Sequence, residues 1–178
     1  RRVLIAVPSH CGNEIAWIRR ALSGAELIRD DGDSAGLLTI LPGSDNVLKQ
    51  YVATSPTWST VTPVILPGYD DPDHLRRKLK AGVDADTQKR YLQKLEARID
   101  GLLRKAFLQA GYSQELVSQL QLQWRDVGFR SGVEPASRYL PPQNLNKSPR
   151  YHVKVQFPSA VPGPVAIGGG RFRGFGLM

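Results

Sequence analysis

The chain has 178 residues, with 24 Lys and Arg against 16 Asp and Glu and a formal charge of +8, giving a pI near 9.9. A chain of this length can bury a core, and no apolar run is long enough for a membrane-spanning helix or has the layout of a signal peptide, so no membrane partner is expected. The single cysteine, Cys11, can neither close an internal disulfide nor build a structural zinc site alone, which fits a reducing cytoplasm; the basic surplus favours a polyanion through counterion release.

The sequence opens on Arg1-Arg2-Val3 with no initiator methionine and reads as part of a longer polypeptide. Residues 3–7 are a β-branched apolar run ended by Pro8, expected as a buried strand. Asn13 is placed to cap a helix whose apolar positions Ile15, Ile18, Ala21 and Leu22 recur at helical spacing up to Gly24. Residues 29–34 read as a polar turn and 37–41 as a second strand, with Pro42-Gly43-Ser44 closing the segment. Residues 1–45 are thus expected to form a partial strand, helix, strand unit that needs further strands, the remainder lying upstream.

A second segment, 56–178, is expected to be complete. It starts with Trp58-Ser-Thr-Val-Thr-Pro-Val-Ile-Leu66, where Thr60, Thr62 and Val64 face one way and Val61 and Ile65 the other, and Pro63 predicts an edge position or a bulge. Pro67-Gly68 and Asp70-Asp71-Pro72-Asp73 make a turn; the aspartates lack the spacing and terminal Glu of a calcium loop and read as solvated. A long helix follows from about Asp84, with Leu92, Leu95, Ile99, Leu102 and Phe107 as its apolar stripe, basic residues mostly outside it, and Gly111 as its stop. Alternation of Leu120, Leu122 and Trp124 against Gln119, Gln121 and Gln123 predicts a strand. The Pro/Asn/Ser connection 132–149 is expected to be mobile or functional. Tyr151-His-Val-Lys-Val-Gln-Phe157 alternates most cleanly, with Tyr151, Val153, Val155 and Phe157 on the apolar face and His152, Lys154 and Gln156 on the polar one.

The chain ends in Gly163-Pro-Val-Ala-Ile-Gly-Gly-Gly-Arg-Phe-Arg-Gly-Phe-Gly-Leu-Met178. Phe172, Phe175 and Leu177 interleave with the glycines, which predicts a folded loop and strand rather than a tail. Glycines let backbone approach a ligand closely, and Arg171 and Arg173 carry charge suited to phosphate. No acidic residue follows Glu134, whereas Arg138, Lys147, Arg150, Lys154, Arg171 and Arg173 do. There is no Walker lysine, and the glycines precede a strand rather than a helix, so no nucleotide cofactor is expected.

The order strand, helix, strand, strand, glycine loop, strand resembles a ferredoxin-like α+β unit. The Trp58 to Asp71 motif followed by a basic helix, the Arg150 to Phe157 strand, and Gly163-Pro-Val-Ala-Ile-Gly168 leading to Gly174-Phe-Gly176 together resemble the CRISPR-associated RAMP superfamily. The match looks like the C-terminal, Cas-six-like part of the type I-U (I-G) fusion of a Cas-five part with a Cas-six part. That resemblance implies ferredoxin-like (RRM-like) RAMP folds, one complete unit plus part of a second. It implies binding of CRISPR repeat RNA, the crRNA precursor, alongside other subunits of a type I effector complex in the cytoplasm.

It further implies cleavage without metal, the 2′-hydroxyl attacking the adjacent phosphate to leave a 2′,3′-cyclic phosphate and a 5′-hydroxyl. Such a reaction needs a base, an acid and cations near the phosphate. The resemblance matches Gly168, Gly169, Gly170, Arg171, Arg173 and Gly174 to the RNA-contacting loop, with Lys154 and Arg150 nearby and Trp58 as either a base-stacking or a core residue. His152 and His10 are the candidate acids or bases, His152 otherwise packing or contacting RNA; if the catalytic histidine lies upstream, neither is the acid or base, and His74 reads as a surface residue. No metal or cofactor is expected. The alternative is a non-catalytic scaffold that holds the crRNA handle.

Overall fold

The computed structural model describes residues 5, 11–40, 46–66 and 84–178. The expected strand at 3–7 is described only at Ile5, which is 50% exposed and assigned to no strand; the Pro42-Gly43-Ser44 and Pro67-Gly68 turns, the aspartates at 70–73, His10 and His74 lie outside the described residues. The chain divides into two compact units, 1–52 and 53–178. The fold is α+β with antiparallel sheets.

In the first unit, helix α1 covers Gly12–Leu22, with Cys11 in the cap position making no side-chain cap bond. Asn13 is therefore inside the helix rather than capping it. Strands β1 (Glu26–Ile28) and β2 (Ser34–Leu37) pair antiparallel around the expected polar turn. There Arg29 N–H donates to the Asp33 carbonyl at 2.8 Å and Gly32 takes φ +88°. The second strand thus covers 34–37 and shares only Leu37 with the expected strand at 37–41; residues 38–40 lie outside it. Helix α2 follows at Asn46–Val52.

The second unit is built on the central strand β6 (Arg150–Pro162). Strand β5 (Gln121–Arg125) pairs along one edge of β6, and β3 (Thr54–Ser59) and β4 (Val64–Ile65) pair in succession along the other, all antiparallel. Four residues separate Ser59 from Val64 while only two separate their partners Lys154 and Tyr151, so the expected Pro63 irregularity is a bulge in one edge. With helix α3 (Ala85–Gln109) between the edge strands, the order β-α-β-β with the last strand central is compatible with a ferredoxin-like fold.

Helix α3 matches its sequence signals closely. The Asp84 carboxylate accepts from the Thr87 N–H at 2.9 Å, and this bond holds its pKa below the usual carboxylate value. Gly111 takes φ +97° just past the other end. Ile99, Leu102, Leu103, Ala106 and Phe107 are buried against Trp58, Val153, Val155 and Phe157 of the sheet, yet Leu92 in the same stripe is 45% exposed. Leu95 packs partly against the core, and full burial begins only at Ile99, in the second half of the helix. Ser113 caps the short α4 (Gln114–Ser118). Arg104, paired with Asp100 at 2.7 Å, donates to the Val117 and Leu120 carbonyls and so ties α3 to the α4–β5 connection. Phe107, Tyr112 and Phe157 pack as an aromatic cluster with centroids 5.5 to 5.9 Å apart. No helix among the described residues is long and apolar enough to cross a membrane.

Candidate functional site

After β6 the chain turns back and folds as a lobe against the β3–β4 edge. Val61 N–H donates to the Leu177 carbonyl at 2.8 Å, Gly176 N–H to Pro63 at 2.9 Å and Gly169 N–H to Ile65 at 2.9 Å. Inside the lobe Ala166 bridges Leu177, and Met178 N–H donates to Val165 at 2.9 Å. The glycine-rich end is thus a folded loop and edge. Its glycines answer first to the protein's own backbone. A Cβ on Gly168, at φ +92°, would sit 2.7 Å from the Ile65 carbonyl oxygen, and one on Gly176, at φ +64°, 1.9 Å from that of Ile167. A Cβ on Gly170 would meet Phe175 at 2.9 Å. No larger residue fits at these three positions without displacing the lobe.

Between these fixed points Arg171–Arg173 forms a single 3-10 turn closed by Gly174 at φ +81°. Arg173 N–H donates to the Gly170 carbonyl at 2.8 Å. The two arginines are not equivalent. Arg171 is half-buried: its guanidinium donates to the Gly168 carbonyl at 3.3 Å and to that of Gln109 at 3.0 Å. Gln109 is the last residue of α3, so Arg171 satisfies a terminal helix carbonyl at the negative end of the dipole and braces the loop. Its guanidinium also lies 4.4 Å from the centroid of the Phe172 ring. Phe172, Arg173 and Gly174 are exposed.

The polar face of the sheet carries the remaining candidates. Directly paired residues share a face, so Thr57, Gln156 and Gln121 form one cross-strand row and Ser59, Lys154 and Gln123 the next. Apart from half-buried Ser59 these side chains are exposed. The third row, His152 with Arg125, is covered in part. His152 has no exposed surface, because the connection after β5 folds over it. Tyr139 packs at 6.1 Å from the imidazole and 6.4 Å from Phe175, and its hydroxyl donates to the Val61 carbonyl at 3.0 Å. Arg150 donates to the Tyr139 carbonyl at 3.1 Å, and Ala136 N–H to Asp126 at 2.8 Å. The stretch expected to be mobile or functional is here a pinned cover.

Both imidazole nitrogens are engaged beneath it. A carbonyl oxygen can only accept, so Nε2 carries the proton and donates to Glu134 at 3.0 Å. Nδ1 then accepts from the Thr60 hydroxyl at 3.1 Å, while that hydroxyl accepts the Val153 N–H at 2.9 Å. Burial pushes the His152 pKa below its ordinary value; the backbone groups of Glu134 and Thr60 oppose that and nearby Arg125 adds to it. The result is a neutral imidazole with no nitrogen free to exchange a proton with a ligand in this arrangement. Trp58 is likewise enclosed, 4% exposed, with Nε1–H donating to Ser55 at 2.9 Å. It is a core residue, closed to a stacking base.

The structure therefore brings Arg150 and Gly168–Gly170 to opposite sides of Ile65, which pairs with the first and accepts from Gly169. It leaves Lys154 and Arg173 exposed and commits Arg171, Arg150 and His152 to internal bonds. Alternation in the sequence placed His152 on the polar face but carried no signal for the cover. Phe172 was visible as an aromatic between two arginines, and only the turn geometry shows that it points outward.

A family model described as CRISPR-associated protein, GSU0054 family, matches residues 1–178. The chain belongs to that family. No curated protein and no solved structure matches it. For this GSU0054-family chain, CRISPR association is thus established over its whole length, and the acid-free basic stretch after Glu134 is a property of a CRISPR-associated protein.

Proposed function

We propose that this chain binds CRISPR RNA as the Cas-six-like part of a type I-U (I-G) fusion protein, within a type I effector complex. The observation that carries the reading is the rigid glycine turn, which presents Arg173 to solvent in a stretch of chain that has no acidic residue after Glu134. Preorganised cations of this kind bind phosphate with little ordering cost. Lys154, amid the amide and hydroxyl rows of the open sheet face, supplies a second exposed contact.

In the catalytic form of this reading the precursor is cleaved without metal by 2′-hydroxyl attack, leaving a 2′,3′-cyclic phosphate. His10 is then the histidine assigned to proton transfer, and His152 holds the cover over the sheet. A second reading, the non-catalytic handle-binding scaffold, is favoured by one observation: both His152 nitrogens are consumed by Thr60 and Glu134. Incubation of the protein with end-labelled repeat RNA in EDTA separates the two. A product ending in a cyclic phosphate, retained in His152→Gln and lost in His10→Ala, supports the enzyme. Tight binding of RNA that stays intact supports the scaffold, and absence of binding removes both.

A further inference from the structure

We infer that Phe172 is a nucleobase-stacking platform, taking one unpaired base of the bound RNA on the ring face opposite Arg171. The inference rests on the RNA-binding reading and deepens it. Phe172 is 87% exposed, and a phenyl ring left in water forgoes the free energy that burial would supply. A single exposed apolar side chain is ordinary on a protein surface. The surroundings of this one are not.

The backbone on both sides of the ring is held. Gly168 and Gly176 are locked against the Ile65 and Ile167 carbonyls, the Phe175 N–H returns to the Gly170 carbonyl at 3.2 Å, and Gly174 closes the turn in the left-handed region. Beneath the ring, the Arg171 guanidinium at 4.4 Å is itself fixed by the Gly168 and Gln109 carbonyls. One face of the ring is thus backed by a cation, with the aromatic plane set before any ligand arrives. Arg173, the next residue, is exposed beside it. A flat apolar face next to an exposed guanidinium matches the two chemistries of an unpaired nucleotide, the base for the ring and its phosphate for the arginine. Because stacking tolerates any base, this contact would hold the strand without reading its sequence.

The test uses the full chain and repeat RNA carrying 2-aminopurine at each unpaired position in turn. One position should lose fluorescence on binding to the native protein. Phe172→Ala should abolish that quenching and weaken binding about 5- to 150-fold with an unchanged salt slope, and Phe172→Trp should retain both signals. Arg173→Ala should instead reduce the salt slope by roughly 0.7, the value for one phosphate contact on a single strand, while quenching persists. Native protein that binds the RNA with the same affinity and quenching as Phe172→Ala overturns the stacking inference and leaves the RNA reading standing. Native protein that binds no RNA overturns the RNA reading, and the inference with it.

Discussion

Replacing Thr60 by Val isolates the hydrogen-bond relay under the sheet cover. The side chains have nearly the same shape, and Thr60 has no exposed surface, so the change removes a hydroxyl and little else. It leaves two buried groups without partners: the Val153 N–H, which Thr60 accepts at 2.9 Å, and the His152 Nδ1 lone pair, to which Thr60 donates at 3.1 Å. Each orphaned group costs about 1–3 kcal/mol, offset by less than about 1 kcal/mol for the added methyl, so a net loss of about 1–6 kcal/mol, centred near 3, is expected. At about 3–5 °C per kcal/mol for a unit of this size, the central value lowers Tm by about 9–15 °C. Urea unfolding followed by tryptophan fluorescence measures it, in a Trp17→Phe background because Trp17 lies in the first unit and Trp58 and Trp124 in the second. Thr60→Ser is the control: it keeps the hydroxyl, loses one methyl and should cost about 1 kcal/mol. A Thr60→Val protein within about 0.5 kcal/mol of the native one, or no worse than Thr60→Ser, would refute the relay.

The remaining expectations use other parts of the same framework. The His152 pKa is lowered on folding from 6.5, so the unfolded chain binds the proton more readily; its contribution to stability is full above pH 6.5 and lost as the pH falls from there through the folded pKa. His152→Gln should flatten that segment of the stability profile, and an unaltered slope would assign it to another group. Gly176→Ala should destabilise the lobe by more than about 2 kcal/mol, since the added methyl meets the Ile167 oxygen at 1.9 Å, whereas Gly174→Ala, with open space around it, should cost about 1 kcal/mol from its positive φ alone; thermal melts of the two variants give the order. Arg104→Met keeps the aliphatic stem but removes the donors to Val117 and Leu120. It should cost about 1–2 kcal/mol in chemical denaturation, and a neutral result would mean that water replaces the guanidinium freely.

Where local chemistry and tertiary packing agree, the sequence was legible. Helix α3 starts at about Asp84 and stops at Gly111 as read, and of its stripe Ile99, Leu102 and Phe107 are buried, Leu95 partly so and Leu92 exposed. Strand β6 shows its alternation, and Pro63 its bulge. What stayed hidden depends on residues distant in sequence. Nothing near position 152 reveals that Glu134 and Tyr139 fold over it, since a polar position on a strand looks the same whether solvent or a cover lies above it. The glycines misdirect in a related way: close backbone approach was the right inference, but Gly168 and Gly176 approach Ile65 and Ile167 rather than a ligand. Arg171, read as a phosphate contact, also has an internal role that its neighbours in sequence do not reveal: it donates to the Gly168 and Gln109 carbonyls. In the first unit α2 and the short β1 escaped notice because each is only a few residues long.

The partial cover that α3 gives the core has a dynamic consequence. Burial begins at Ile99, so the preceding stretch from Ala85 extends about 20 Å at the usual helical rise with no fully buried side chain to anchor it. Its helicity depends on the Asp84 cap, on the partial packing of Leu95 against the core and on local propensity, terms each worth about a kcal/mol rather than the whole unit's stability. The amides of the first turns should therefore exchange with solvent deuterium through local fraying, and those from Ile99 to Phe107 only when the whole unit opens. Exposed Lys89, Arg90 and Lys94 sit on the fraying part, so a polyanion that settles on them would slow the exchange of those first turns and leave the core half unchanged.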